Sequence, residues 1–213
     1  MRRRRRKRPP RVGAGAQLSE WGTCPEEADP RQQCALLSVP RDHSQPGGAR
    51  IEIAVGRIPA EDPARRRGVL LFNPGGPASA GCSTRAASAR TCPTTSGPGA
   101  TGFDPRGIGY SAPVTCALAP EDQDVLQRLP YPAADLDISE NVAYSQRAAA
   151  GCAANSADLL PHITTANTAR DMDEIRGALG DERISFLGYS VRSEGPRATP
   201  PGTPAGCARG SRG

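Results

Sequence analysis

The fold class is decided by residues 183–190, which read Arg183-Ile184-Ser185-Phe186-Leu187-Gly188-Tyr189-Ser190. The middle of this stretch is short, β-prone and mostly apolar, as in a strand that is buried on both faces. The strand is predicted to end at Gly188, and Ser190 follows two residues later. A serine that closely follows a buried strand can be exposed at the edge of a sheet.

A second buried strand is predicted at Gly68-Val69-Leu70-Leu71-Phe72-Asn73, and Pro74-Gly75-Gly76-Pro77 closes it. Before residue 183, a helix is predicted from Thr165 to Leu179, with Thr164 or Thr165 as N-cap and Gly180 as the C-terminal stop. Strands that alternate with helices indicate βαβ units. The sequence therefore predicts an α/β fold with a mostly parallel sheet and flanking helices.

Two weaker patterns add to this prediction. Residues 51–58 alternate between apolar and other residues, which predicts a half-exposed strand. Residues 139–160 show loose helical spacing, and Ser139 is a suitable N-cap.

Three segments carry chemistry. Gly188-Tyr189-Ser190 is the first half of G-x-S-x-G, in which a nucleophilic serine stands on a strained turn between strand and helix, although Arg192 replaces the second glycine. A surface serine at a strand end is the alternative for this tripeptide alone. Gly75-Gly76 would let backbone N–H groups approach a developing oxyanion. The third segment is Phe103-Asp104-Pro105-Arg106-Gly107-Ile108-Gly109-Tyr110-Ser111.

Together these segments resemble the secreted bacterial α/β-hydrolases of the tripeptidyl aminopeptidase type, relatives of proline iminopeptidases. The resemblance covers about residues 20–77 and 102–190. The residues that match the family pattern D-x-R-G-x-G-x-S are Arg106, Gly107, Gly109 and Ser111. The resemblance implies that residues 20–190 form the N-terminal part of an α/β-hydrolase domain, a partial fold that stops after the nucleophile elbow.

The resemblance also implies the roles of the site residues. Ser190 would be the nucleophile, and Gly76 and Val191 would line the oxyanion hole. The intact family removes peptides from the N-terminus of a peptide substrate, and an esterase of the same fold is the alternative, because the fold does not fix the bond that is cleaved. No cofactor and no metal are implied.

The cysteines indicate the compartment. Four of the seven lie in the segments that carry the resemblance, which implies the disulfides Cys24–Cys34 and Cys116–Cys152. Such disulfides favour an extracellular protein. Reduced, buried thiols in a cytosolic chain are the alternative.

Two segments depart from the family pattern. No large apolar residue stands between Gly81 and Phe103, where the family has a helix and a strand, so we expect residues 78–101 to be read out of frame and the central strand to be missing. Residues 191–213 consist almost entirely of Arg, Gly, Pro, Ala, Thr and Ser, and we expect them to be an out-of-frame, disordered tail. A natural disordered tail is the alternative.

The proton-accepting partners of the serine are missing from this sequence. In this fold they follow the nucleophile in chain order, but residues 191–213 contain no His and no Asp. His43 and His162 are expected to be structural or exposed, and His43-Ser44 is not expected to form a dyad. The chain as written is therefore predicted to be inactive.

The charge is uneven. Residues 2–11 hold eight of the 27 basic residues, whereas residues 12–190 have 15 basic and 21 acidic residues, a net charge of −6. We expect residues 1–19 to be a disordered basic start without the apolar region of a signal peptide. An acidic body argues against nucleic acid as a partner, and no apolar run is long enough to span a membrane. A non-enzymatic binding protein with a basic tail remains the alternative from another class, and the sequence makes no prediction about oligomers.

Overall fold

The computed structural model describes residues 17–25, 30–60, 69–73, 100–123 and 137–188. These residues form six strands and two α-helices. The strands are β1 (Gln17–Leu18), β2 (Gln33–Pro40), β3 (Arg50–Ile58), β4 (Val69–Asn73), β5 (Ala100–Phe103) and β6 (Ile184–Gly188). The helices are α1 (Ser139–Ser156) and α2 (Thr165–Ala178). Short 3-10 turns occur at Pro120–Asp122 and Leu160–His162.

The strands form one mixed sheet in the order β1-β2-β3-β5-β4-β6. β4 lies between β5 and β6 and is parallel to both of them. β3 is antiparallel to β5 and to β2, so β2 points in the same direction as β4, β5 and β6. Four of the six strands therefore run the same way, and with the helices they form the partial α/β-hydrolase fold that the sequence predicts.

The strand predictions hold best for β4. All five of its residues are buried, which confirms a strand that is covered on both faces. β6 is more exposed than predicted, since Ile184 is buried and Ser185 is exposed. The physical reason is position: β4 has a strand on each side, whereas in the described part of the chain β6 pairs with β4 alone.

The strand predicted at residues 51–58 is confirmed as β3, but its predicted exposure and one further expectation were wrong. β3 is half-exposed only over its first three residues, because the loop that follows β5 binds its middle: the Asp104 amide donates to the Ala54 carbonyl at 3.0 Å. The central strand was expected to be missing, but β5 is present. All four of its residues pair with Val55–Ile58 on one side, and the first three pair with Leu70–Phe72 on the other. Pairing with its neighbours therefore holds β5 extended, with Phe103 as its one large apolar side chain in the core.

The helix boundaries follow from local caps. The Thr164 hydroxyl accepts a hydrogen bond from the Asn167 amide at 3.1 Å, and Gly180, with φ of 74°, ends α2. Ser139 was expected to cap α1, but it is the first residue of the helix and the N-cap position is Ile138. The Asp137 carboxylate accepts from the Ser139 amide at 2.9 Å and from the Ser139 hydroxyl at 2.7 Å. These bonds from Ser139 hold the pKa of Asp137 below its ordinary value.

The core lies between α2 and one face of the sheet. Met172 and Ile175 of α2 are buried in it, and a cluster of buried apolar side chains from five strands meets them. Its members from the sheet are Leu37, Val39, Ile53, Val55, Val69, Leu71, Phe103 and Ile184. This packing fixes α2 immediately before β6, the strand that leads to the predicted nucleophile.

The chain divides into two compact units. The described residues of Met1–Ala112 and Thr164–Gly213 form the first unit, which contains the sheet and α2, and Pro113–Ile163 form the second, which contains α1. The structure contains both disulfides that the resemblance implied, Cys24–Cys34 in the first unit and Cys116–Cys152 in the second.

The core predicts a large difference between two leucines of the sheet. Leu71→Ala removes a side chain with 0% exposure and should lower the free energy of unfolding by about 2–5 kcal/mol, because it leaves a cavity. Leu36→Ala, at a side chain that is 37% exposed, should cost less than about 1 kcal/mol. Urea denaturation followed by circular dichroism measures both values, and equal losses would contradict this core.

Candidate active site

The three parallel strands β5, β4 and β6 end at one edge of the sheet. Asn73, the last residue of β4, is the register partner of Gly188, the last residue of β6. Phe72 is the partner of Gly102, so β5 ends beside them. In open α/β sheets, ligands bind outside the carboxyl ends of the strands, and this edge is therefore the candidate active site.

The predicted catalytic residues follow two of these strand ends. Gly76 comes three residues after Asn73, and Ser190 and Val191 come two and three residues after Gly188. All three lie outside the described residues, so their roles stay predictions. What the structure establishes is that the strands preceding them are parallel neighbours that end in register.

The loop from Asp104 to Ser111 stands at the same edge, after β5. It turns back on itself through Gly107 and Gly109, whose φ angles are 84° and 56°, a region that glycine enters without strain. The turn is closed by a bond from the Gly107 amide to the Ser111 carbonyl at 2.7 Å. The glycines of the D-x-R-G-x-G-x-S pattern are thus required by the backbone of this loop.

Ser111 is a structural serine. Its side chain is buried, and its hydroxyl donates to the Asp104 carbonyl at 2.6 Å while accepting from the Ala54 amide at 2.8 Å. The Asp104 carboxylate in turn accepts from the Tyr110 amide at 2.9 Å. Because donor and acceptor of the hydroxyl are both used within the fold, Ser111 joins the loop to β3.

Arg106 anchors the loop to the remainder of the sheet unit. The residue is 1% exposed, and its guanidinium binds Asp171 of α2 through Nε to Oδ2 at 2.7 Å and Nη2 to Oδ1 at 2.6 Å. It also donates to the carbonyls of Arg41, at 2.7 Å, and Pro40, at 3.3 Å. One side chain therefore joins the end of β2, the loop after β5 and helix α2.

His43 completes this cluster. Its Nε2 lies 2.8 Å from Asp171 Oδ1, and its side chain is 8% exposed, so it is structural and not exposed. The Ser44 hydroxyl donates to the Asp42 carboxylate at 2.7 Å. His162, in the second unit, is half-buried at the end of a 3-10 turn.

Asp171 is the important residue that the sequence analysis missed. A signal for it exists: Asp171 precedes Ile175 by four positions and Ala178 by seven, so a carboxylate stands within the apolar stripe of α2. A charge in such a stripe requires a buried partner. The arginine of the D-x-R-G-x-G-x-S pattern is that partner.

Glu174 is another carboxylate of α2 that lies near the charged residues of this cluster. Partial burial raises the pKa of Glu174 above its ordinary value, and the neighbouring Asp173 and Asp171 act in the same direction. The neighbouring His43 and, more weakly, Arg50 oppose this rise in the pKa of Glu174. The face of α2 beside the cluster therefore disfavours further negative charge.

Neither a metal site nor a membrane span is evident among the described residues. No group of three His, Cys, Asp or Glu side chains is placed there to hold a metal ion. No helix in that part of the chain is long and apolar enough to cross a membrane.

Comparisons with known proteins identify relatives. The chain is 38% identical over 163 residues to the tripeptidyl aminopeptidase of Streptomyces coelicolor, which is 74% of this chain and 30% of that protein. It is 32% identical over 195 residues to the serine protease Hip1 of Mycobacterium tuberculosis, 85% of this chain and 36% of that protein. It is 38% identical over 174 residues to carboxylesterase B of M. tuberculosis, 76% of this chain and 33% of that protein. No protein-family model matches the chain.

The chain spans about a third of the length of the curated relatives that it matches. The mixed sheet with its shared carboxyl edge, together with these relatives, supports a partial α/β-hydrolase fold for this part of the chain. The chain is similar to proteins named as tripeptidyl aminopeptidases, as a serine protease and as a carboxylesterase.

The buried cluster generates a prediction for Asp171 and Asp173, two aspartates of α2 that are two residues apart. Asp171→Ala should lower the free energy of unfolding by about 3–5 kcal/mol, because it leaves Arg106 buried without its carboxylate. Asp173→Ala removes a pair with Arg176 in which the carboxylate is 47% exposed, and should cost less than about 1 kcal/mol.

Chemical denaturation at pH 7 measures both variants. The double variant Arg106→Met, Asp171→Leu should recover most of the loss, since it leaves no unpaired buried charge. Similar values for Asp171→Ala and Asp173→Ala would refute the assignment of Asp171 as an anchor.

Proposed function

We propose that this region supplies the nucleophile and the oxyanion loop of a serine exopeptidase that removes short peptides from the N-terminus of its substrate. The observation that carries the proposal is the parallel pairing of β4 with β6, in which Asn73 and Gly188 are partners. Because of that pairing, the segments that contain Gly76 and Ser190 begin at neighbouring strand ends, beside the candidate active site. The name of the Streptomyces relatives supports the choice of substrate class.

The chemistry assigned to these residues is acyl transfer. The Ser190 hydroxyl attacks the scissile carbonyl carbon, and the proton leaves to a histidine base that an aspartate orients. The Val191 amide and an amide of the Gly-rich segment at Gly76 donate hydrogen bonds to the oxyanion that forms. Both glycines of Gly75-Gly76 serve this purpose because they keep side chains away from the oxygen.

His43 and Asp171, which are hydrogen-bonded to each other, are not the general base for Ser190 in this proposal. His43 follows the end of β2, and β2 is separated from β6 by three intervening strands. Neighbouring strands lie about 4.8 Å apart, so the two strands are about 19 Å apart across the sheet. Asp171 is moreover held by Arg106, as an anchor requires. We propose that the catalytic histidine and aspartate are supplied by sequence that corresponds to the remaining two thirds of the relatives.

The compartment proposed is extracellular. Two disulfides within 213 residues fit an oxidising environment, because cytosolic thiols are kept reduced. Nucleic acid is not a partner in this proposal, since the body of the chain is acidic.

An ester substrate is the second candidate, supported by the similarity to carboxylesterase B. The two candidates differ in the leaving group and share the nucleophile. Rates on tripeptidyl p-nitroanilides and on short-chain p-nitrophenyl esters therefore separate them.

The 213-residue chain should hydrolyse neither substrate above the buffer rate. Without a general base beside Ser190, the attack loses several orders of magnitude in rate. Release of p-nitrophenolate and p-nitroaniline at pH 7 measures this. Turnover that Ser190→Ala abolishes would show that the chain completes the site by itself.

A chimera tests the nucleophile. Residues 191–213 are replaced by the part of the S. coelicolor tripeptidyl aminopeptidase that follows the matched serine, and formation of both disulfides checks folding. The chimera should release tripeptides, and Ser190→Ala should lower kcat by at least about a thousandfold. Ser185→Ala, at an exposed serine of β6, is the matched control and should leave kcat unchanged. A folded chimera that keeps its rate in Ser190→Ala would contradict the proposal, and cleavage of esters alone would favour the esterase.

A further inference from the structure

Among the described residues of the second unit, Pro113–Ile163, little apolar packing holds helix α1. All eighteen residues of α1 are described, and none of them is buried. Ile138 and Val142 are exposed by 55% and 45%. A helix whose apolar face is not covered gains little from tertiary packing, and packing supplies most of the stability of helices in proteins.

Polar contacts and one covalent bond attach α1 to residues 113–123 instead. Arg147 donates to both carboxylate oxygens of Asp122, at 2.8 and 2.9 Å. Nine positions later, the Ser156 hydroxyl accepts from the Thr115 amide at 3.0 Å and donates to the Thr115 carbonyl at 2.9 Å. The Arg147 side chain is 46% exposed and that of Asp122 is 5% exposed, so solvent weakens this ion pair from the arginine side alone.

The disulfide Cys116–Cys152 stands between these two polar contacts. Gly151, next to Cys152, lies so close to the backbone carbonyl oxygen of Cys116 that an added Cβ atom would collide with it. Helix α1 and residues 113–123 therefore approach each other closely at this point. The disulfide closes a loop of 36 residues. Closing a loop of this length removes much of the freedom of the unfolded chain, and the cross-link therefore outweighs the neighbouring polar contacts.

The other disulfide is placed differently. Cys24–Cys34 joins residues ten apart, and Cys34 is also bound to Gly22 by two backbone hydrogen bonds, at 2.8 and 2.9 Å. Cys34 belongs to β2, which pairs along its whole length with β3. The sheet thus holds this region without the sulfur–sulfur bond.

We propose that Cys116–Cys152 is a redox-sensitive latch, whose reduction releases α1 from residues 113–123 while the sheet of the first unit stays folded. Both cysteines are half-buried, so a dithiol reductant can reach them. A thiolate of the reductant attacks one sulfur and forms a mixed disulfide. Its second thiolate then closes a cyclic disulfide, and Cys116 and Cys152 leave as two thiols after taking up two protons.

Hydrogen–deuterium exchange with mass spectrometry of the full chain tests the latch, with dithiothreitol as the reductant. In the oxidised chain, the amides of α1 should be protected. Reduction, or the variant Cys116→Ser, Cys152→Ser, should speed their exchange at least tenfold and leave β3 and β4 unchanged. The matched control Cys24→Ser, Cys34→Ser should change exchange in α1 less than twofold, and Arg147→Gln should change it less than threefold.

Three results would overturn the proposal. One is protection of α1 that persists in the reduced chain. Another is rapid exchange of α1 in the oxidised chain, since the latch would then hold nothing. The third is loss of protection in β3 and β4 together with α1, since the two units would then unfold as one. The proposal is independent of the serine chemistry, because none of these measurements involves Ser190.

Discussion

The ion pair between Arg106 and Asp171 is the contact on which the sheet unit depends. Both side chains are almost fully buried, and the charge of each is compensated by the other and by hydrogen bonds to backbone carbonyls and His43. Desolvating two charges costs free energy that only such complete pairing offsets. The pair therefore admits one arrangement of three chain segments: the end of β2, the loop after β5 and helix α2.

This arrangement of segments determines which residues follow the strand ends at the carboxyl edge of the sheet. Gly180 ends α2, β6 follows it in the chain, and Ser190 comes two residues after the end of β6. Ser111 fastens the loop after β5 to β3 on the other side of that edge. A serine hydrolase needs its oxyanion donors fixed before the charge develops, and a rigid scaffold of parallel strands satisfies that requirement. The similarity to peptidases and to an esterase is consistent with one scaffold serving several leaving groups.

The sequence predicted those elements whose signals are local. β4 is a short apolar run closed by proline, and α2 has a threonine cap, an apolar stripe and a terminal glycine, so both were found within one residue of their ends. β5 was not found, because Ala100–Phe103 contains one large apolar residue and is held by strands that are distant in sequence. Asp171 was missed for a similar reason: its partner is 65 residues away. The start of α1 shows a smaller limit, since Ser139 is a residue type that favours N-caps, yet the structure places it one position later, as the first residue of the helix. The roles of Ser190, Gly76 and Val191 derive from resemblance, and they remain predictions.

The position of β6 has a consequence for the extent of the sheet. Its amides and carbonyls bind β4 on one side, while on the other side no strand pairs with it in the part of the chain that the structure describes. Within the described residues, this border of the sheet therefore presents backbone donors and acceptors to which a further strand can be added. Pairing at this border would extend the sheet beyond its six described strands.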